Sequence, residues 1–218
     1  MSEVIFNRAM LSTTELPSYE GISLADVSLV NSELLAREAL AALMTADAIG
    51  FDTESKPTFL KGEESTGPHL VQLATDKRAY LFRIAGLHGT QELKAILESP
   101  AVLKVGMGLG NDRSALKSRL GISLTNVLDL GEVLRGPGHR GTVGAKVAVA
   151  HFFARKLQKS KKTGTSNWSN ALLSERQVLY AANDAHVALR LYRAWAVARE
   201  TEAEFPFRQV PAPALDCS

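Results

Sequence analysis

Four carboxylates of this sequence have the types and spacings that could hold hard metal ions, and a tyrosine stands one helical turn from the last of them. Asp52 and Glu54 close the apolar run Ala48-Ile49-Gly50-Phe51-Asp52-Thr53-Glu54. If that run is a strand, alternation puts both carboxylates on one face, opposite Phe51 and Thr53. Two carboxylates side by side repel each other. A divalent cation removes the repulsion, and oxygen ligands suit Mg²⁺ or Mn²⁺. The bland alternative is a solvent-facing strand edge, and Asp-x-Glu by itself is common. Asp112 follows the turn Gly106-Met107-Gly108-Leu109-Gly110-Asn111, whose glycines let backbone come close to another element or a ligand. Its bland alternative is a first-turn helix Asp that complements the macrodipole. Tyr180 and Asp184 stand four apart, one turn along the same face of a helix. Asp is a poor mid-helix residue and so invites a reason. A phenol, with a reference pKa near 10, can position water without adding charge. The alternative there is a half-buried Tyr beside a solvent-facing Asp.

A dinucleotide-binding reading fails on spacing. The glycine turn reads Gly-x-Gly-x-Gly, and the fingerprint needs Gly-x-Gly-x-x-Gly. Gly136-Pro137-Gly138-His139-Arg140-Gly141 matches letter for letter but contains Pro and precedes no strand–helix–strand unit, so it is a chance match.

The elements that must carry these residues can be read from periodicity. Val27 to Val30 is a short strand, and Asn31 is a plausible cap for a helix over 32–46 with Leu34, Leu35, Ala39 and Leu43 at helical spacing. Residues 69–75 and 79–84 form a hairpin around Asp76-Lys77-Arg78, after a Pro- and Gly-containing loop over 55–68. A helix over 91–98, a strand over 102–105, a helix over 113–120 and a strand over 127–130 follow. Thr142 caps a helix through Phe153. Ser174 and Gln177 form a Ser-x-x-Gln capping box for a long helix over 175–199. Strands early and helices late predict a mixed α/β sheet covered by helices. The domain is expected over 25–205, after an irregular arm over 1–24 and before a loose tail over 206–218.

Composition permits such a domain. Hydrophobic residues make up 45% of the 218, enough to bury a full core. The single cysteine, Cys217, cannot build a disulfide framework or a Cys-based zinc site. No apolar run reaches the length of a membrane span, and the start lacks a basic then apolar leader, so a cytoplasmic protein with no membrane role is expected. Net charge is +2, yet no acid lies between Glu132 and Glu175. That stretch holds Arg135, Arg140, Lys146, Arg155, Lys156, Lys159, Lys161 and Lys162. Such a stretch is the footprint of a polyanion partner, or a plain solvated surface.

Singly these signals are weak. In the order Asp-x-Glu on a strand, Asp after a glycine turn, then Tyr-x-x-x-Asp on a late helix, the sequence resembles the DEDDy 3′–5′ exonucleases. It is most similar to the ribonuclease D type and the exonuclease domain of the Werner syndrome helicase. The matching text is GFDTES (50–55), HLVQLAT (69–75), KVGMGLGNDRSAL (104–116), SNW (166–168) and LSERQVLYAANDAHVALRLY (173–192). The resemblance implies a ribonuclease-H-like (DnaQ-like exonuclease) fold of about five or six strands and two Mg²⁺ or Mn²⁺ ions. Asp52 would bridge the ions. Glu54 and Asp184 would complete the site that activates water, Asp112 would hold the second ion, and Tyr180 would orient the water or scissile phosphate. A branch with a histidine base has His five residues before the last Asp; that position is Leu179, so the tyrosine branch applies. His186 lies on the wrong side of Asp184 for that role.

The expected reaction is stepwise hydrolysis of single-stranded or frayed nucleic-acid 3′ ends, releasing nucleoside 5′-monophosphates. DNA is favoured because the glycine turn looks Werner-like. The alternatives are RNA 3′-end processing, as in ribonuclease D, and a non-catalytic nucleic-acid-binding module. Lys159, Lys161, Lys162, Asn167 and Trp168 are expected beside the site, with cations on phosphates and the indole either stacking a base or simply packed under the last helix. Thr53, Met107 and Leu109 are expected to touch terminal nucleotides. The helical binding domains of ribonuclease D and the Werner helicase have no counterpart in this sequence. Processivity and target choice are therefore expected from the domain itself, from oligomerisation or from a partner.

Overall fold

The hairpin register decides which face of the sheet carries the carboxylates. In the computed structural model, which describes residues 16–58, 62–63, 65–86, 88–135 and 141–200, strand β2 (Ala48–Glu54) pairs antiparallel with β3 (Leu70–Ala74), with Asp52 opposite Gln72 and Glu54 opposite Leu70. β3 turns back into β4 (Ala79–Arg83), as the alternating apolar runs and polar turn predict. Thr75 closes that turn, its Oγ1 accepting from the backbone N–H of Lys77 and Arg78. β1 (Val27–Val30) lies parallel to β4, while β5 (Leu103–Gly106) and β6 (Val127–Asp129) extend the other side parallel to β2. The six strands run β1-β4-β3-β2-β5-β6, with β3 alone reversed. This is the expected mixed sheet, and the carboxyl ends of β2 and β5 share one edge.

Helices cover both faces. On one, α1 (Glu33–Met44), α2 (Thr90–Glu98) and α3 (Asp112–Leu120) bury Ala39, Leu43, Ile96 and Leu116 against Ile49, Phe51, Leu73 and Phe82. Ser32, one residue after the expected Asn31, caps α1 by accepting from Leu35 N–H. On the other face, α4 (Leu130–Val133), α5 (Ala145–Phe153) and the long α7 (Glu175–Glu200) pack over Ala48 and Val105, and α7 also covers Leu70, Ala74 and Leu81. α5 starts after Gly144 rather than Thr142. The Ser174–Gln177 box forms as predicted: Gln177 N–H donates to Ser174 Oγ, and Ser174 N–H donates to Gln177 Oε1. A short helix α6 (Lys161–Gly164), capped by Ser160, leads into the Ser-Asn-Trp segment.

α7 lies unusually close to the sheet. Its sheet-facing side chains Ala181, Ala182, Ala185 and Ala188 are buried and small. Beneath them is Gly50, where an added Cβ would stand 1.9 Å from the Ala185 carbonyl oxygen. Helix and strand meet there backbone to backbone. Arg193 ties the far end of α7 down with a two-pronged ion pair to Asp47 (2.5 and 2.6 Å) and a weaker one to Asp76 (3.3 Å).

Within the expected arm, Pro17 and Tyr19 bracket Lys156 through backbone hydrogen bonds, and Tyr19 stacks on Phe153. From residue 16 the arm is thus docked against α5 and the segment after it. Residues 1–15, most of the Gly136–Gly141 chance match, and the expected tail over 206–218 lie outside the described residues. Among those residues no helix is long and apolar enough to cross a membrane.

Candidate active site

Asp52 and Glu54 leave β2 on the α7 side, as alternation predicts, while Phe51 is wholly buried on the other. The close approach at Gly50 and Ala185 brings Asp184, the next residue along α7, against this pair. Asp112 arrives from the β5 edge at the start of α3. Its turn is held by a residue without an assigned role in the motif reading. Asp129, at the end of β6, accepts from Gly108 N–H (2.9 Å) and Leu109 N–H (2.7 Å), then caps α4 through Gly131 N–H. Gly108 adopts a positive φ of 81°, which a side chain would strain.

The electrostatics record how closely the four acids crowd. Burial, then the charges of Asp184 and Asp112, holds the Asp52 carboxyl well above the usual range. Burial, then Asp52 and Asp184, pushes Glu54 up to about 9. Burial also raises Asp112 and Asp184. Such mutual repulsion in a desolvated site calls for a cation.

The cation in this structure is Lys159. Its Nζ sits 2.8 Å from Asp184 Oδ2 and 5.3 Å from the centre of the Tyr180 ring. Burial opposes the ammonium, but Asp184 holds its pKa above that of an ordinary lysine. Lys159 is therefore not on an outward phosphate track beside Lys161 and Lys162, as its place in a basic loop suggested. It turns into the carboxylate cluster. The exposed Lys161 and Lys162 do face outward. A cavity of about 280 Å³ lined by Lys146, Lys156, Gln158 and Lys159 adjoins this side chain.

Tyr180 is held on three sides. Trp168 packs 5.9 Å away between ring centres, Lys159 lies over the ring, and Gly164 comes so close that a Cβ there would stand 2.5 Å from the hydroxyl oxygen. Burial, then the Asp184 charge, raises the phenol pKa, so the hydroxyl stays neutral. Trp168 is only 1% exposed and donates from Nε1 to Gly164 carbonyl oxygen (3.1 Å). A ring so buried offers no face to a base, so of the two readings the stacking one is corrected and the packing one holds, with the indole against Tyr180 of α7. Leu109 is corrected likewise: it is 4% exposed and packs in the core over Gly106. Met107 is half-buried against the α5–α7 core, and Asn167 is exposed. Thr53 hydrogen bonds through Oγ1 to Asp112 Oδ1. Gln177 adds a link no cap signal announces: its Nε2 donates to Ser166 Oγ (3.0 Å) and Asn167 carbonyl oxygen (3.4 Å), tying α7 to the Ser-Asn-Trp segment. His186 is buried, its Nε2 beside the Asp76 carbonyl and away from the cluster.

As donors, four crowded carboxylates fit hard divalent cations. Among the described residues, no three Asp, Glu, His or Cys side chains converge on one point as they would around an ion. Two of the four are turned to internal donors, Asp184 to Lys159 and Asp112 to Thr53.

The chain is similar to known 3′–5′ exonucleases. Residues 27–196 match the 3′–5′ exonuclease family. Mouse WRN, a bifunctional 3′–5′ exonuclease/ATP-dependent helicase, is 30% identical over 178 residues, covering 81% of this chain and 12% of WRN. An Arabidopsis thaliana 3′–5′ exonuclease is 28% identical over 150 residues, covering 66% of this chain and 51% of the relative. The chain thus spans only part of each. The EXO domain of Aedes aegypti Nibbler superposes with a TM-score of 0.67 at 25% identity, covering 86% of this chain and 96% of that domain. Escherichia coli RNase D superposes with a TM-score of 0.68 at 22% identity, a likeness of fold, over 80% of this chain and 45% of that one. Matched from its first sheet strand to the late turns of the helix that carries Tyr180 and Asp184, the chain belongs to the 3′–5′ exonuclease family and has its ribonuclease-H-like fold.

Proposed function

We propose that this chain hydrolyses phosphodiester bonds at nucleic-acid 3′ ends, one nucleoside 5′-monophosphate at a time, with two divalent cations. The observation that carries the reading is the crowding of Asp52, Glu54, Asp112 and Asp184 beside Tyr180 at one sheet edge, close enough for their charges to act on one another. Asp52, Glu54 and Asp184 would hold one cation and Asp52 and Asp112 the other, as Mg²⁺ or Mn²⁺. Bound there, such a pair lowers the pKa of a water and offsets charge on the attacking and leaving oxygens. The chain's own groups do the rest. Tyr180, neutral and braced by Trp168 and Gly164, orients the water or scissile phosphate through its hydroxyl. The Thr53 hydroxyl aims the Asp112 carboxylate. The exposed Lys161, Lys162 and Asn167, with Thr53 and Met107, are the groups proposed to meet the strand.

DNA is the favoured substrate, resting on the Werner-like glycine turn. RNA is the second reading. It is favoured by the structural likeness to E. coli RNase D, an exoribonuclease, and to Trypanosoma brucei RNase D solved with RNA U12. A 5′-labelled oligonucleotide assay tests all of this, with DNA and RNA, blunt and overhanging, in Mg²⁺ or Mn²⁺ against EDTA and Asp52→Ala. A ladder shortening from the 3′ end, abolished by EDTA and by the substitution, is expected. A ladder that survives either one refutes the two-metal mechanism. Binding without degradation under any metal would make the chain a nucleic-acid-binding module.

A further inference from the structure

Lys159 is a charge that the carboxylate site does not need once cations are bound. We infer that it is a tethered counter-cation, which neutralises Asp184 in the metal-free enzyme and has to be displaced before a metal ion takes that carboxylate. The inference rests on the metal-site reading of Asp52, Glu54, Asp112 and Asp184. Three observations carry it. First, Asp184 is nearly buried, with its side chain 8% exposed, and the Lys159 Nζ sits 2.8 Å from one of its oxygens. That contact takes up a carboxylate oxygen an incoming cation would use, and adds positive charge where the cation must sit. Second, Asp112 is likewise turned to an internal donor, the Thr53 hydroxyl, so two of the four carboxylates have partners an incoming cation must compete with. Third, Lys159 can leave. Its backbone neighbours are pinned, Lys156 between Pro17 and Tyr19 and Ser160 as the α6 cap. The side chain itself is 34% exposed, on a flexible four-carbon stem, beside a cavity of about 280 Å³. A released ammonium stays within reach of an incoming phosphate. Lys159 therefore sets the metal concentration at which the enzyme switches on, and leaves one fewer unbalanced carboxylate in the metal-free protein.

The test is calorimetric titration of Mn²⁺ into the metal-stripped full chain, comparing the parent with Lys159→Met, Lys159→Arg and Asp52→Asn. Loss of a buried charge-assisted contact that metal must break predicts about tenfold tighter Mn²⁺ binding in Lys159→Met. Lys159→Arg, which keeps the charge, should bind no tighter than the parent. Melting in EDTA confirms that each variant folds, and Lys159→Gln replaces the Met variant if that one melts early. The half-saturating Mn²⁺ for oligonucleotide cleavage should fall with the calorimetric constant. Equal or weaker Mn²⁺ binding in Lys159→Met, with binding still abolished by Asp52→Asn, overturns the counter-cation role and leaves the metal site standing. Mn²⁺ binding that is absent in the parent, or indifferent to Asp52→Asn, overturns both.

Discussion

Adding a single methyl group at Gly50 should separate the two halves of the active site. A Cβ there would stand 1.9 Å from the Ala185 carbonyl oxygen and 2.6 Å from its carbon, where ordinary contact begins at 3.4 Å. Both atoms are backbone, so no side chain can rotate aside. Gly50 does not have a positive φ, so the penalty of Gly50→Ala is steric, not conformational. Reaching ordinary contact requires α7 to retreat by about 1.5 Å. Overpacking on that scale costs about 2–3 kcal/mol of stability. The same retreat carries Asp184 away from Asp52, and a misplacement of about 1 Å can cost about a hundredfold in kcat. The assay is urea unfolding alongside cleavage of a 5′-labelled oligonucleotide in saturating Mn²⁺. The expected result is a folded variant with a lowered urea midpoint, an unchanged slope, a kcat down about a hundredfold and a KM little changed. A folded Gly50→Ala with kcat within about threefold of the parent would refute the idea that strand–helix contact at this point sets the site.

Two further predictions concern the buried Lys104 and the close approach of Gly164 to Tyr180. Lys104 is fully buried, donates to the Ser99 and Val102 carbonyl oxygens, and has a pKa pushed by burial down to about 8 from 10.5. Between those values the unfolded chain binds more protons than the folded one, so stability should rise with pH through that window and be lowest below about 8. The difference in unfolding free energy between the parent and Lys104→Met should drift by about 3 kcal/mol from pH 7.5 to 10.5; a flat difference counts against a desolvated ammonium. Gly164→Ala puts a methyl 2.5 Å from the Tyr180 hydroxyl oxygen, at an exposed short helix. It should lower kcat by roughly ten- to a hundredfold with the melting temperature nearly unchanged, and equal kcat would show that Tyr180 is not held by that backbone.

Several elements could be read from the chain because their causes are local. The hairpin is announced by two alternating apolar runs around a polar turn, and the α7 start by Ser174 and Gln177 three apart. The two carboxylates of β2 share a face because strand side chains alternate, whatever the strand packs against. The errors in reading have the opposite character. Trp168 lies among polar and basic residues, and that composition does not choose between a stacking platform and an indole packed inward beneath Tyr180. Leu109, in a glycine turn, looks presented to a ligand, yet the turn folds it over Gly106 into the core. Lys159 is one of many cations in an acid-free stretch, and only its distance from Asp184 separates it from Lys161 and Lys162.

By itself, then, the sequence determines the identity and order of the acids, the elements they ride on and the parity that puts Asp52 and Glu54 on one face. Those follow from backbone periodicity and caps, which involve neighbours a few residues apart. Tertiary structure decides what lies between the acids. Asp52 and Asp184 are 132 positions apart, and their meeting depends on Gly50 and the alanine face of α7 letting backbone touch backbone. Asp129 aims the glycine turn across the sheet, and Lys159 reaches back from a loop pinned by Pro17 and Tyr19. A desolvated charge cluster is set by distances among residues far apart in sequence, and Coulomb energy falls too steeply with distance for residue order to stand in for them.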